Sequence, residues 1–139
     1  MEKYKIIIDT NLWISLLIGK RLSEMHTLCN SDIVDVYICN ELKEEFMRIA
    51  FQGKIMKYAT DERVFQTLEL MEASCILSFI GNAIVASELR DVDDLYLLAL
   101  AETVEADFIL TGDKDLLSLQ FHHKTKIVTY KEFEAIQWK

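Results

Sequence analysis

The chain has 139 residues, 51% of them hydrophobic and 27% charged, which suits one globular domain over residues 1–139 and excludes a disordered, repetitive or fibrous chain. Its formal net charge of -8 runs against the basic footprint of a nucleic-acid binder, unless part of the acid is gathered around a cation that reverses the local field. No apolar run approaches the roughly 18 residues that span a bilayer, and Met1-Glu2-Lys3-Tyr4-Lys5 does not open a secretory signal, so a cytosolic protein without a membrane segment is expected.

Lys5 to Ile8 is a short β-branched run and predicts a buried strand. Thr10 or Asn11 can cap the helix that follows, with apolar positions Leu12, Trp13, Leu16 and Leu17. That helix is expected to break near Gly19 and resume from about Ser23 to Cys29. Val34 to Cys39 predicts a second strand, Asn40 a cap, and Glu41 to Phe51 a helix. Thr60 caps another helix, with Asp61 and Glu62 in its first turn, running to about Ser74. Cys75 to Ile80 is a weaker strand candidate. Asp93 or Asp94 opens an apolar helix through Leu95, Leu98, Ala99 and Ala101. Asp107 to Leu110 is a strand, Asp113 to Leu119 a short helix, Lys126 to Thr129 a last strand and Tyr130 to Trp138 a last helix. Gly19, Gly53, Gly81 and Gly112 fall between these elements, as turn residues do. Alternating strands and helices give the α/β class, with a mostly parallel sheet and helices on its faces.

Cys29, Cys39 and Cys75 are odd in number and far apart in sequence, which speaks against a disulfide framework and for buried apolar fillers. His26, His122 and His123 have no His or Cys partner at metal-site spacing, and His122-His123 reads as part of a solvated polar loop.

In parallel sheets the working residues gather beyond the carboxyl ends of the strands. Asp9 follows the first strand directly. Asp113 follows the strand Phe108-Ile109-Leu110 after Thr111-Gly112, which places it on the same edge. Asp94 stands at the start of a buried helix, and Glu45 one turn into the helix after the second strand. Each has a plainer role open to it: Asp94 and Asp113 as helix caps, Asp9 as a turn residue, Glu45 as part of a solvated face. Together, carboxylates converging on one edge repel each other, and a divalent cation removes that cost. Ligation by oxygen alone points to magnesium or manganese rather than zinc. Such an ion can activate water and stabilise charge on a phosphate, so the reaction class is phosphodiester hydrolysis. No Ser-His-Asp, Cys-His, P-loop or Gly-x-Gly-x-x-Gly pattern competes. Asp9-Thr10-Asn11 offers one aspartate where a haloacid-dehalogenase motif needs two.

Ile6-Ile7-Ile8-Asp9-Thr10-Asn11-Leu12-Trp13-Ile14 resembles the opening strand and turn of PIN domains. Asp94-Leu95-Tyr96-Leu97-Leu98-Ala99-Leu100-Ala101 resembles their third acidic block, and Ala106-Asp107-Phe108-Ile109-Leu110-Thr111-Gly112-Asp113-Lys114-Asp115-Leu116-Leu117 their fourth. The resemblance implies a Rossmann-like three-layer α/β/α sandwich and a magnesium- or manganese-dependent ribonuclease acting on single-stranded RNA. It is closest to the toxin ribonucleases of toxin–antitoxin pairs (VapC-like). It maps the family's four acidic positions onto Asp9, Glu45, Asp94 and Asp113, with Asp9, Asp94 and Asp113 as metal ligands. Asn11 and Thr111 match the polar residues that support them, and Asp115 is an additional outer carboxylate or a first-turn acid. Glu41 and Glu44 compete with Glu45, and Asp91 and Asp93 with Asp94. The resemblance also implies a homodimer and an antitoxin partner. Arg48, Lys54, Lys57 and Lys114 are the cations placed to guide RNA, or solvated surface charges. Trp13, Phe46, Phe51 and Tyr58 stack bases or, as aromatics at helical spacing commonly do, fill the core. The alternative is a non-catalytic PIN-like binding or scaffold module, which would tolerate Asp9→Asn.

Overall fold

The structure is a computed structural model that describes residues 3–80 and 95–136. In chain order it places β1 (Tyr4–Ile8), α1 (Thr10–Ile18), α2 (Leu22–Cys29), β2 (Val34–Ile38), α3 (Asn40–Ala50), α4 (Gly53–Met56), α5 (Asp61–Ser74) and β3 (Ile76–Leu77). There follow α6 (Leu95–Val104), β4 (Phe108–Leu110), α7 (Lys114–Leu119), β5 (Phe121–His122), β6 (Thr125–Val128) and α8 (Tyr130–Ala135). The strands form a 6-stranded sheet in the order β3-β2-β1-β4-β6-β5. All neighbours are parallel except the β5–β6 hairpin.

β1 occupies the middle because its sequence suits no other place. Ile6, Ile7 and Ile8 are each 0% exposed, so both faces of the strand are covered by helices. A run of β-branched residues without alternation is what a doubly covered strand requires. The chain order reverses beside it: β2 and β3 extend the sheet to one side, β4 and β6 to the other. The β1–β4 boundary is therefore the topological switch point, where a crevice opens beyond the carboxyl ends of the strands. Helix α6 supplies a packed apolar rod, with Leu97, Leu98, Leu100 and Ala101 all fully buried. None of the helices described is long and apolar enough to cross a membrane.

Several boundaries differ from the sequence expectation for local reasons. The cap of α1 is Asp9, whose side chain accepts from the Asn11 amide; Thr10 is already helical. Asn40 is likewise the first residue of α3, behind Cys39. The candidate strand from Cys75 to Ile80 pairs only at Ile76 and Leu77, an edge position with both side chains exposed. Gly53 opens the short α4 instead of lying between elements, and β5 was not anticipated at all. Thr60 caps α5 through the Arg63 amide as expected. Thr129 caps α8 in a reciprocal box with Glu132, a Thr-x-x-Glu pattern. Gly81, Asp91, Asp93 and Asp94, with the predicted cap of α6, lie outside the described residues, and α8 ends at Ala135, short of the expected Trp138, because the Ile136 backbone is extended.

Candidate active site at the carboxyl edge

The backbone ladder runs one residue past the strands on both sides of the switch point. The Asp9 amide donates to the Leu110 carbonyl at 2.9 Å, and the Thr111 amide to the Val128 carbonyl at 3.0 Å. These bonds fix Asp9 and Thr111 side by side, although 102 residues separate them. The Thr111 hydroxyl donates to Asp9 Oδ2 at 2.7 Å and accepts from the Asp113 amide at 3.0 Å. One hydroxyl thus ties the ends of β1 and β4 together and turns the chain toward α7. Asp113 caps that helix, its Oδ1 accepting from the Asp115 amide at 2.8 Å. Among the described residues its second oxygen has no hydrogen bond.

Asp9 is only 2% exposed. Burial pushes its carboxyl above the ordinary value of 3.8, and the charges of Asp113 and Glu45 push in the same direction. The hydrogen bonds from Thr111 and Asn11 oppose the rise without cancelling it. A buried carboxylate facing two more acids is a costly arrangement in the absence of a cation. The donor set is oxygen alone, so the residues fit a hard divalent ion.

Glu45 reaches the same neighbourhood from α3. Its Oε2 accepts from the Tyr96 hydroxyl at 2.5 Å, and that hydroxyl lies 2.7 Å from Thr10 Oγ1. Tyr96 thereby links α3, α1 and the start of α6. Desolvation and the neighbouring Glu45 carboxylate raise its phenol well above the usual range, so it stays a neutral donor. Of the three competing glutamates, Glu41 and Glu44 are exposed, whereas Glu45 is half-buried and makes this contact. Arg48 approaches Glu45 Oε1 at 3.6 Å. Together with Glu41, Glu44 and Glu45 it lines an open cavity of about 440 Å³. A second cavity of about 320 Å³ is lined by Asn11, Leu12, Ser15, Gly112 and Asp113.

The structure therefore gathers Asp9, Asp113 and Glu45. Asn11 supports Asp9 through its backbone amide at 3.4 Å, with its own side chain exposed toward the second cavity. Asp115 is exposed and contributes its amide to Asp113. Lys54, Lys57 and Lys114 are exposed, and Trp13 and Phe46 are core, whereas Phe51 and Tyr58 are exposed at 43% and 61%. Tyr96 and Thr10 were missed by sequence reasoning. The available signal was a lone hydroxyl-bearing aromatic at the start of the otherwise aliphatic Leu95-Tyr96-Leu97-Leu98-Ala99-Leu100.

A crevice of this kind is where open, mostly parallel α/β sheets bind their ligands. Residues 5–115 match the PIN domain family, and the chain is a member of it. An uncharacterized protein of Methanocaldococcus jannaschii is 30% identical over 142 aligned positions, covering 94% of this chain and 90% of the relative. A solved domain of a functionally unknown protein from Methanocaldococcus jannaschii DSM 2661 has the same fold, with a TM-score of 0.57 at 17% identity. The match covers 91% of this chain and 90% of that one.

Proposed function

We propose that the protein is a magnesium- or manganese-dependent endoribonuclease that cleaves single-stranded RNA, the toxin of a toxin–antitoxin pair. The observation that carries this reading is Asp9: a buried carboxylate with a raised pKa, held at the switch point against Asp113 and Glu45. Asp9, Asp113 and Asp94 are the residues that would hold the metal, and Glu45 completes the pocket. When bound, such an ion activates water and stabilises charge at phosphorus.

The protein's own contribution is preorganisation. The Thr111 hydroxyl holds Asp9 in one rotamer, and the turn through Gly112 presents Asp113 beside it. Tyr96 fixes Glu45 against Thr10, so the carboxylate does not swing out with α3. Arg48 and Lys114 give an acidic molecule local cations for the phosphates that flank the crevice. The toxin assignment, with its antitoxin and homodimer, rests on the resemblance of the acidic blocks. An exposed aromatic pair supports a protein partner: Phe51 and Phe65 pack at 5.9 Å between ring centroids, at 43% and 56% exposure.

The test is calorimetric titration of manganese into metal-free wild type and Asp9→Asn, with RNA cleavage assayed on the same samples. Manganese-dependent cleavage by wild type, with binding and cleavage both lost in Asp9→Asn, is the expected result. Folded wild type that neither binds nor cleaves would sink the proposal and leave a non-catalytic binding module.

A further inference from the structure

At the opposite edge of the sheet, the β5–β6 hairpin carries His122 and His123. Only His123 lies in the solvated loop expected from the sequence, exposed in the turn; His122 is in β5, paired with Thr125, and its side chain is 11% exposed. Successive residues of a strand point to opposite faces, so adjacent histidines on a regular strand do not converge. His123 breaks the rule because its φ is 53°. This left-handed conformation costs a non-glycine residue about 1 kcal/mol. It swings the second imidazole beside the first, with ring centroids 4.6 Å apart at 82°.

Both rings aim at one oxygen of α6. Glu102 Oε1 lies 2.6 Å from His123 Nε2 and 3.2 Å from His122 Nε2. The second contact has the distance of a hydrogen bond without its geometry: His122 Nε2 is buried and makes no hydrogen bond among the described residues. A single carboxylate oxygen thus faces two ring nitrogens, and the buried one has no hydrogen bond from it. The three ligand atoms all lie within 4.8 Å of one another. Tetrahedral bonds of about 2.0–2.1 Å hold ligand atoms about 3.3 Å apart, a spacing that small side-chain adjustments reach. Beside them is a cavity of about 310 Å³ lined by Glu102, Glu105, His123 and Lys124 among others, with room for a water ligand. Lys124, the nearby cation, is drawn toward Asp107 at 3.7 Å.

We propose that Glu102, His122 and His123 form a binding site for a divalent transition-metal cation of zinc's class, which clasps α6 to the β5–β6 hairpin. Two imidazoles and one carboxylate are the donor set that such ions prefer and that magnesium does not. The ion would take the lone pair of His122 Nε2 that the described residues leave unmatched. The acidic crevice lies at the other end of α6 and has no part in this site, so the two stand or fall separately.

The experiment is zinc titration of the metal-free full chain, followed by calorimetry and thermal denaturation. Asp9→Asn is the background, so that the acidic crevice does not compete. The expected result is a single zinc ion bound and a rise in Tm, with magnesium giving neither. His123→Ala and Glu102→Gln should each weaken zinc at least about tenfold and remove the rise in Tm. His123 has a side chain 69% exposed, so its replacement leaves the core intact, and far-UV circular dichroism checks that it does. Zinc affinity unchanged in both variants, or no zinc bound by the folded parent, overturns the proposal.

Discussion

At the carboxyl edge of the sheet Asp9 faces Asp113 and Glu45, whereas at the amino edge Glu102 faces His122 and His123. The first cluster is carboxylate against carboxylate, centred on the buried Asp9 at the junction of β1 and β4. The second is carboxylate against imidazole, on an outer hairpin. The same element serves both: α6 begins near Tyr96 at one edge and carries Glu102 at the other, about 9 Å further along its axis. The difference teaches that ligand type follows from which neighbours the backbone supplies. Parallel strand ends supply oxygen donors on adjacent loops, whereas a tight hairpin with a left-handed residue can supply two nitrogens in succession.

The largest expected effect comes from removing an acid at the carboxyl edge. Asp113→Asn should lower manganese-dependent RNA cleavage about a hundredfold or more, with zinc binding at the amino edge unchanged. If cleavage survives, the carboxyl edge is not the acting one. Thr111→Val should come next. It strips the donor from Asp9 Oδ2 and the acceptor from the Asp113 amide, at a cost of about 1–3 kcal/mol in urea unfolding. It should also weaken manganese about tenfold in calorimetry. Tyr96→Phe removes the bridge between Thr10 and Glu45 and should cost about 1 kcal/mol by the same unfolding measurement. A loss of about 3 kcal/mol or more would mean that the bridge anchors α6 as strongly as one of its buried leucines.

A pH series sharpens the contrast in the metal-free protein. Burial raises the Asp9 carboxyl in the folded state above its ordinary value of 3.8. The folded chain then holds that proton more tightly than the unfolded chain does. Its stabilising contribution is complete below 3.8 and is lost as pH rises through the folded value. Asp9→Asn carries no such group, so its Tm should gain on wild type as pH rises above about 4 and hold the difference at neutrality. A Tm difference that does not change with pH would mean that Asp9 is not desolvated. The smallest effect belongs to His123→Ala, which should leave manganese-dependent cleavage at the carboxyl edge unchanged in the same assay.

Much of the fold was legible because its signals are local. The run Ile6-Ile7-Ile8 and the apolar α6 stretch specify buried elements whatever surrounds them. The Asp9 and Asp113 positions were legible for a related reason: each follows a strand, and parallel topology sends strand ends to one edge. What escaped depends on pairings between distant segments. Tyr96 is one apolar-helix residue until α3 brings Glu45 to its hydroxyl. His122 and His123 lack a spacing motif because their third partner, Glu102, sits on a helix rather than nearby in the chain. β5 exists only through its pairing with β6, and the Cys29 and Cys75 thiols, 46 positions apart, approach to 3.9 Å only in the folded chain.

The Thr111–Asp9 bond joins residues 102 positions apart. Closing a loop of that length is entropically costly, and nonlocal parallel pairing is slow to form. The crevice therefore does not exist on a chain that has folded only as far as β3. During synthesis, Asp9 leaves the ribosome long before its companions do, and it has neither Thr111 nor Asp113 beside it until β4 docks. A nascent or partly unfolded copy consequently lacks the assembled crevice, which belongs to the finished fold alone.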